Sequence, residues 1–296
     1  MWPMQHGCRF ESLAAGEALA GTALAQTTHW LLVEVSGPWA AKPIESAGFS
    51  PAVRDHIKAA LAATPGSRLQ LIRRPASSPG VTVKLVRSSP AGGMVHFLTL
   101  DSVDGLLDLD LPALWKMDAS TDQAPFILVC AHGVRDQCCA REGAPVAHAL
   151  CAIEPERVWQ TSHLGGHRFA ATAVVLPTGV QLGRLEPTEA AAVWDAVHSG
   201  KIHSLERYRG NTTWPKVAQA AAIEVRAAKG LMAVDALALQ EVTLDEAGST
   251  RVRLASPDGE VLVEVTPGEP GSPLRKSCAA SEVSYVAPLA CRILSP

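Results

Sequence analysis

Short apolar runs of strand length, alternating with stretches of helical period, set what this chain can fold into. HWLLVEV (29–35) is such a run, closed by the turn GPWA. PAVRDHIKAALAAT (51–64) has helical spacing and carries Pro51 in its first turn, where a missing N–H costs little. RLQLIRR (68–74), VTVKLVR (81–87) and MVHFLTL (94–100) read as three further strands. PFILVC (125–130) is a buried strand, GAPVAHALCA (143–152) a helix and RVWQT (157–161) a short strand. TAVVLP (172–177) and VQLGRL (180–185) predict a hairpin about Thr178-Gly179, and PTEAAAVWDAVHSG (187–200) a helix with Pro near its start and Gly at its end. Residues 214–229 fit one more helix. Beyond it ALALQEVT, TRVRLAS and EVLVEVT each alternate apolar with polar, and predict a small antiparallel β module from 231 onward, with PGEPGSP (267–273) as a loop. The fold class is α/β, in three regions: 1–120, 121–230 and 231–296. No internal repeat or low-complexity segment stands out.

Composition narrows the function. The chain has 296 residues, 47% apolar and 19% charged, which is globular. A net charge of −3 without a long basic run argues against nucleic acid as a partner. No apolar stretch reaches the roughly 20 residues of a membrane span. Arg9, Glu11 and Glu17 interrupt the start where a secretory signal needs unbroken apolar residues. The expectation is a cytoplasmic protein with no membrane partner. Seven cysteines, an odd number in a long chain, argue against a disulfide framework and for metal or redox chemistry.

Three of those cysteines fall in CAHGVRDQCCAREG (130–143): Cys130, Cys138 and Cys139. Cys130 stands where a buried strand gives out, and Cys139 follows nine residues later across a polar loop. A loop of that length can fold back and bring two sulfurs within reach of one metal. Arg135 and the loop amides would favour thiolate over thiol. Buried free cysteines are the plainer reading, since cores commonly hold them. The second segment is SHLGGHRFA (162–170), with His163 and His167 four apart. Helical spacing would put both imidazoles on one face. Gly165 and Gly166 between them, each costing about 1 kcal/mol in a helix interior, favour a glycine loop instead. The absence of Glu after His163 excludes the metalloprotease pattern. Two surface histidines are the plainer reading here. Taken together, two sulfurs and two nitrogens suit tetrahedral zinc or an iron–sulfur centre. The nine-residue step between the cysteines is wide for a zinc finger.

CAHGVRDQCCAREG and HLGGHRFAATAVVLPTGVQLGRL resemble the sucrase/ferredoxin-like family, strongly over roughly 125–185 and more weakly over AGTALAQTTHWLLVEVSGPWA (20–40). The resemblance implies a thioredoxin-like ferredoxin fold for residues 121–230, with residues 1–120 as an additional α/β region. It also implies a [2Fe-2S] cluster held by Cys130, Cys139, His163 and His167, with Cys138 as an alternative ligand. The neighbouring His132-Gly133, Arg135-Asp136 and Arg168-Phe169-Ala170 fit the same pattern. Nothing in the residues supports the sucrase of the family name: no carboxylate pair for glycoside hydrolysis is evident.

Such a ligand set implies an electron-transfer protein, a carrier rather than a catalyst, with a reductase or electron acceptor as its partner. Two neutral imidazoles in place of thiolates remove two negative charges and make reduction easier. Rieske centres reach roughly −150 to +300 mV against about −400 mV for plant-type clusters by the same substitution. The outer imidazole nitrogens allow a proton to move with the electron. Two alternatives use the same residues: a structural zinc protein on the four ligands, and a thioredoxin-like thiol oxidoreductase on Cys138 and Cys139. The latter lacks a Cys-x-x-Cys motif. Cys8, Cys278 and Cys291 have no ligand spacing and read as structural, with Cys8 free to approach another cysteine in the fold. Cys151 and the tryptophans Trp30, Trp39 and Trp159 read as packing residues.

Overall fold

A computed structural model describes residues 7–75, 79–118, 124–244 and 249–295. After the short helix α1 (Cys8–Ala14), the chain forms β1 (His29–Glu34), α2 (Pro51–Ala63), β2 (Ser67–Arg73), β3 (Val81–Arg87), β4 (Met94–Leu100) and α3 (Leu111–Lys116). Ser50 caps α2, its hydroxyl accepting from the Val53 amide, and Pro51 opens it as predicted. The second stretch forms β5 (Phe126–Cys130), α4 (Gln137–Ile153), β6 (Val158–Thr161), β7 (Ala173–Leu176), β8 (Val180–Leu182) and α5 (Ala190–His198). β9 (Tyr208–Asn211) and α6 (Lys216–Lys229) follow.

Nine strands make one sheet in the order β4-β3-β1-β2-β6-β5-β7-β8-β9. Within it a topology occurs twice. β1 and β2 are parallel across α2, β3 returns antiparallel to β1, and β4 pairs antiparallel to β3. β5 and β6 are likewise parallel across α4, with β7 antiparallel to β5 and β8 antiparallel to β7. Each half therefore has the strand order and directions of a thioredoxin-like unit. The halves join edge to edge, antiparallel, through the pairs Ile72↔Thr161 and Arg73↔Gln160. The repeat leaves no mark in the sequence, because it repeats connectivity rather than residues.

Helices α2 and α3 cover one face of the first half, where Val53, Ile57, Leu111 and Trp115 pack on Leu31, Val33, Leu71 and Leu85. In the second half Val146, Leu150 and Val193 pack on Ile127 and Val129. The alternate residues of both halves share a third core: Trp30, Leu32 and Ile72 meet Leu128, Trp159 and Val174. Burial on both faces explains why these strands read as continuous apolar runs. The third core also holds Cys130 and Cys139, so the candidate ligands sit beside the seam.

The C-terminal module is a separate antiparallel sheet, as expected. It contains β10 (Ala238–Leu244), β11 (Thr250–Ser256), β12 (Gly259–Pro267) and β15 (Leu289–Ser295), with the two-stranded β13 (Leu274–Arg275) and β14 (Val283–Ser284) inserted before its last strand. Val252, Leu254, Val261 and Val263 pack on Trp214, Ala218 and Val225 of the α6 region.

Candidate metal centre

β5 delivers Cys130 at its last residue, buried, with its amide donating to the Thr172 carbonyl at 2.9 Å. The loop that follows is shorter than the sequence suggests, since α4 starts at Gln137 and not near 143. The reason is Asp136: its carboxylate accepts from the Cys138 amide at 2.9 Å and caps the helix. Cys138 and Cys139 thus lie in the first helical turn. Gly143, one turn on, sets how close α4 comes to β5. A Cβ there would fall 1.9 Å from the Cys130 carbonyl oxygen. Without it the helix rests on the strand end and brings Cys139 to Cys130.

The histidine side rises from β6. The His163 carbonyl accepts from Arg68 of β2 at 2.7 Å, and its amide donates to His132 Nδ1 at 3.2 Å. His132 is therefore a positioning residue in the loop. So held, His163 places Nδ1 3.5 Å from Cys139 Sγ and 3.9 Å from Cys130 Sγ. Gly165 and Gly166 then take φ of 80° and 69°, the left-handed region that glycine enters freely. A Cβ on Gly166 would also stand 2.3 Å from Arg209 Nη2. This turn stacks His167 on His163, ring centroids 5.6 Å apart. His167 Nε2 donates to the Lys276 carbonyl and lies 3.9 Å from an Asp136 oxygen, while its Nδ1 is buried with no partner.

The structure thus converges Cys130, Cys139 and His163, whose ligand atoms all lie within 4.8 Å of one another. His167 stands one ring away and is not part of that group. Charge in the pair collects on Cys130. The Cys139 thiol donates to it and His163 favours it further, against the cost of burial, so Cys130 is held well below the usual thiol range. Cys139 is pushed up by the same hydrogen bond.

Several contributors were not evident from the sequence. Arg209 on β9 is fully buried and donates to the Gly165 carbonyl at 3.1 Å and to the Thr22 carbonyl. Burial works against its charge, and negative charge on Cys130 works for it. Its guanidinium stays protonated in any protein, so it sets a fixed positive charge behind the glycine turn. Arg68 does the same from β2. Arg135 is exposed, and Arg168 is paired with Glu17 at 2.6 Å. Both stand as ordinary charged residues. Cys151 and Cys291 pack at the margins of separate cores.

Cys138 turns the other way from Cys139. Its sulfur lies 3.6 Å from Cys8 Sγ and 3.0 Å from Cys278 Sγ, and those two are 3.4 Å apart. Hydrogen bonds from the Cys8 and Cys278 thiols hold Cys138 down to about 6, while Cys278 is pushed up to about 11 by burial. Cys8 and Cys278, read from sequence as structural, are the N- and C-terminal members of this second group.

Fold and site define a class: an α/β protein of two thioredoxin-like halves, with buried Cys/His groups that can bind metal at the start of one helix. The family model for sucrase/ferredoxin-like proteins matches residues 19–210. The chain belongs to that family. No curated protein and no solved structure matches it significantly. No helix among the described residues is long and apolar enough to cross a membrane.

Proposed function

We propose that Cys130, Cys139, His163 and His167 hold a [2Fe-2S] cluster and that the protein transfers electrons. The observation that carries this reading is the orphaned Nδ1 of His167, buried beside a ring whose own Nδ1 faces two buried thiols. A ligand bound at this nitrogen would satisfy it and the facing thiols together. The donors also suit the group: thiolate and imidazole are what iron–sulfur centres accept. When bound, such a cluster supplies one-electron chemistry at a potential raised by its neutral nitrogen ligands.

The rest is done by the chain's own residues. Arg68 and His132 fix the His163 backbone, and the Lys276 carbonyl holds the Nε2 proton of His167. That hydrogen bond orients the imidazole and raises its basicity toward a metal. Arg209 offsets part of the thiolate charge from behind. Cysteine ligands of this kind suit a reducing, cytoplasmic setting, with a redox protein as partner.

A second reading has its own support. Three ligand atoms within 4.8 Å, with His167 outside the group, also suit a single zinc ion. Visible and EPR spectra of protein purified without air, before and after dithionite, separate the two. The cluster reading expects a red-brown protein with matched iron and sulfide and a rhombic signal on reduction. Colourless protein with zinc bound at Cys130, and no iron taken up after reconstitution, would overturn it.

A further inference from the structure

We propose that Cys8, Cys138, Cys278 and the Asp136 carboxylate form a second metal site, for one zinc ion. It stands independently of the cluster reading, and its residues are separate from the four proposed cluster ligands. The four ligand atoms lie within 4.8 Å of one another. The three sulfurs make a triangle with sides of 3.0, 3.4 and 3.6 Å. A tetrahedral zinc with bonds of about 2.3 Å holds its sulfurs roughly 3.8 Å apart, so the triangle must open by about 0.2 Å on its longest side and about 0.8 Å between Cys138 and Cys278 to admit the ion. A disulfide would draw two sulfurs to about 2.05 Å and leave the third without a partner. The triangle favours three equivalent ligands over a pair and a spectator. Three thiolates with one carboxylate select a borderline-soft ion that accepts tetrahedral geometry.

The surroundings are built for this approach. Gly7 has φ of 150°, and a Cβ there would come 3.3 Å from Cys138 Sγ and 3.2 Å from Arg141 Nη2. Its missing side chain lets the N-terminal segment lie directly on the helix end. Asp136 holds two of the cysteines by their backbones: one oxygen accepts from the Cys138 amide and the other from the Cys278 amide, both at 2.9 Å. Each oxygen keeps a lone pair, and Oδ1 lies 4.0 Å from Cys8 Sγ. Arg141 places Nη2 3.6 Å from Cys138 Sγ and opposes the excess negative charge of the set. Arg275 is near enough to feel the charge on Cys8 and Cys278.

The sulfurs come from three separate parts of the chain, 130 and 140 residues apart. Two of them, Cys8 and Cys278, fall outside residues 19–210 of the family match. The ion would fasten the N-terminal helix and the β13 segment onto the start of α4, and both segments border His167. A closure spanning so much chain restricts the unfolded state strongly.

The test is metal analysis of the full chain purified without chelators, with zinc and iron counted together. One zinc per chain is expected, bound separately from any iron. Cys8→Ser and Cys278→Ser should each lose it and keep whatever iron the parent carries, whereas Cys130→Ser should keep the zinc. If those variants fail to fold, zinc-edge X-ray absorption of the parent decides. Three sulfurs at about 2.3 Å and one oxygen at about 2.0–2.2 Å support the site. Zinc absent from the parent, a zinc content that Cys8→Ser and Cys278→Ser together leave unchanged, imidazole scattering from the zinc kept by the Cys130→Ser chain, or a disulfide between any two of these cysteines would each overturn it.

Discussion

Cys138 and Cys139 are neighbours in sequence, yet their side chains leave α4 about 100° apart, and each joins a different group of ligands. The spacing of the second cysteine from Cys130 was legible in the sequence. The direction of the first was not, because its partners lie 130 and 140 residues away. Glycines carry as much of the site as cysteines do. In Gly143→Ala the new methyl would collide with the Cys130 carbonyl oxygen, a backbone atom with little room to yield. Overpacking of this kind costs roughly 1–3 kcal/mol. The expected outcome is a lower Tm together with lost metal at Cys130 and Cys139, measured by thermal melts and iron content; unchanged metal content would contradict the close-approach argument. Arg209→Met should leave the Gly165 and Thr22 carbonyls unpaired, at roughly 1–3 kcal/mol each. A urea titration reads the loss, and a change below half a kcal/mol would mean that water replaces the guanidinium.

At the scale of elements, α4 is the piece on which both groups depend, and its start is set by one carboxylate. Asp136→Ala removes the cap, at about 0.5–2 kcal/mol, and also releases the Cys278 amide. Hydrogen exchange should therefore speed up at two separated places, the first turn of α4 and residues 276–280, while β5 stays protected. Acceleration confined to α4 would show that the link to Cys278 is weak in solution. The sequence placed this helix six residues late, from 143. Pro145 is in fact interior, and the packing of Val146, Ala147 and Leu150 in the core holds the helix through it. The strand at 29–35 was legible because burial on both faces wrote it as an apolar run, and 68–74 because it alternates. α1, α3 and β9 were not, being short and stabilised by packing rather than by pattern.

Across the whole molecule, two halves of like topology share one sheet, and the second carries Cys130, Cys139, His163 and His167. The first half contributes support: Arg68 crosses the seam to hold His163. The N-terminal helix and the C-terminal insertion then close over the histidine side. Removing the C-terminal module should accordingly do more than shorten the chain. A chain ending at 230 would bare the α6 face around Ala218 and Val225, lose the Lys276 carbonyl and lose Cys278. It is expected to aggregate, or to run as a larger species on gel filtration, whereas Cys278→Ser in the full chain should stay monodisperse with faster exchange at residues 8–14. A soluble, well-melting 1–230 fragment would show that the module is dispensable.

Asp136 stands between the two groups, its carboxylate on the Cys278 amide and 3.9 Å from His167 Nε2. Any change of charge on one side is therefore felt on the other, and thermodynamics makes such an influence mutual. If metal at the three cysteines makes the histidine side easier to reduce by some factor, the reduced protein must hold that metal more tightly by the same factor. The grip on one ion would then serve as a gauge of the oxidation state of its neighbour.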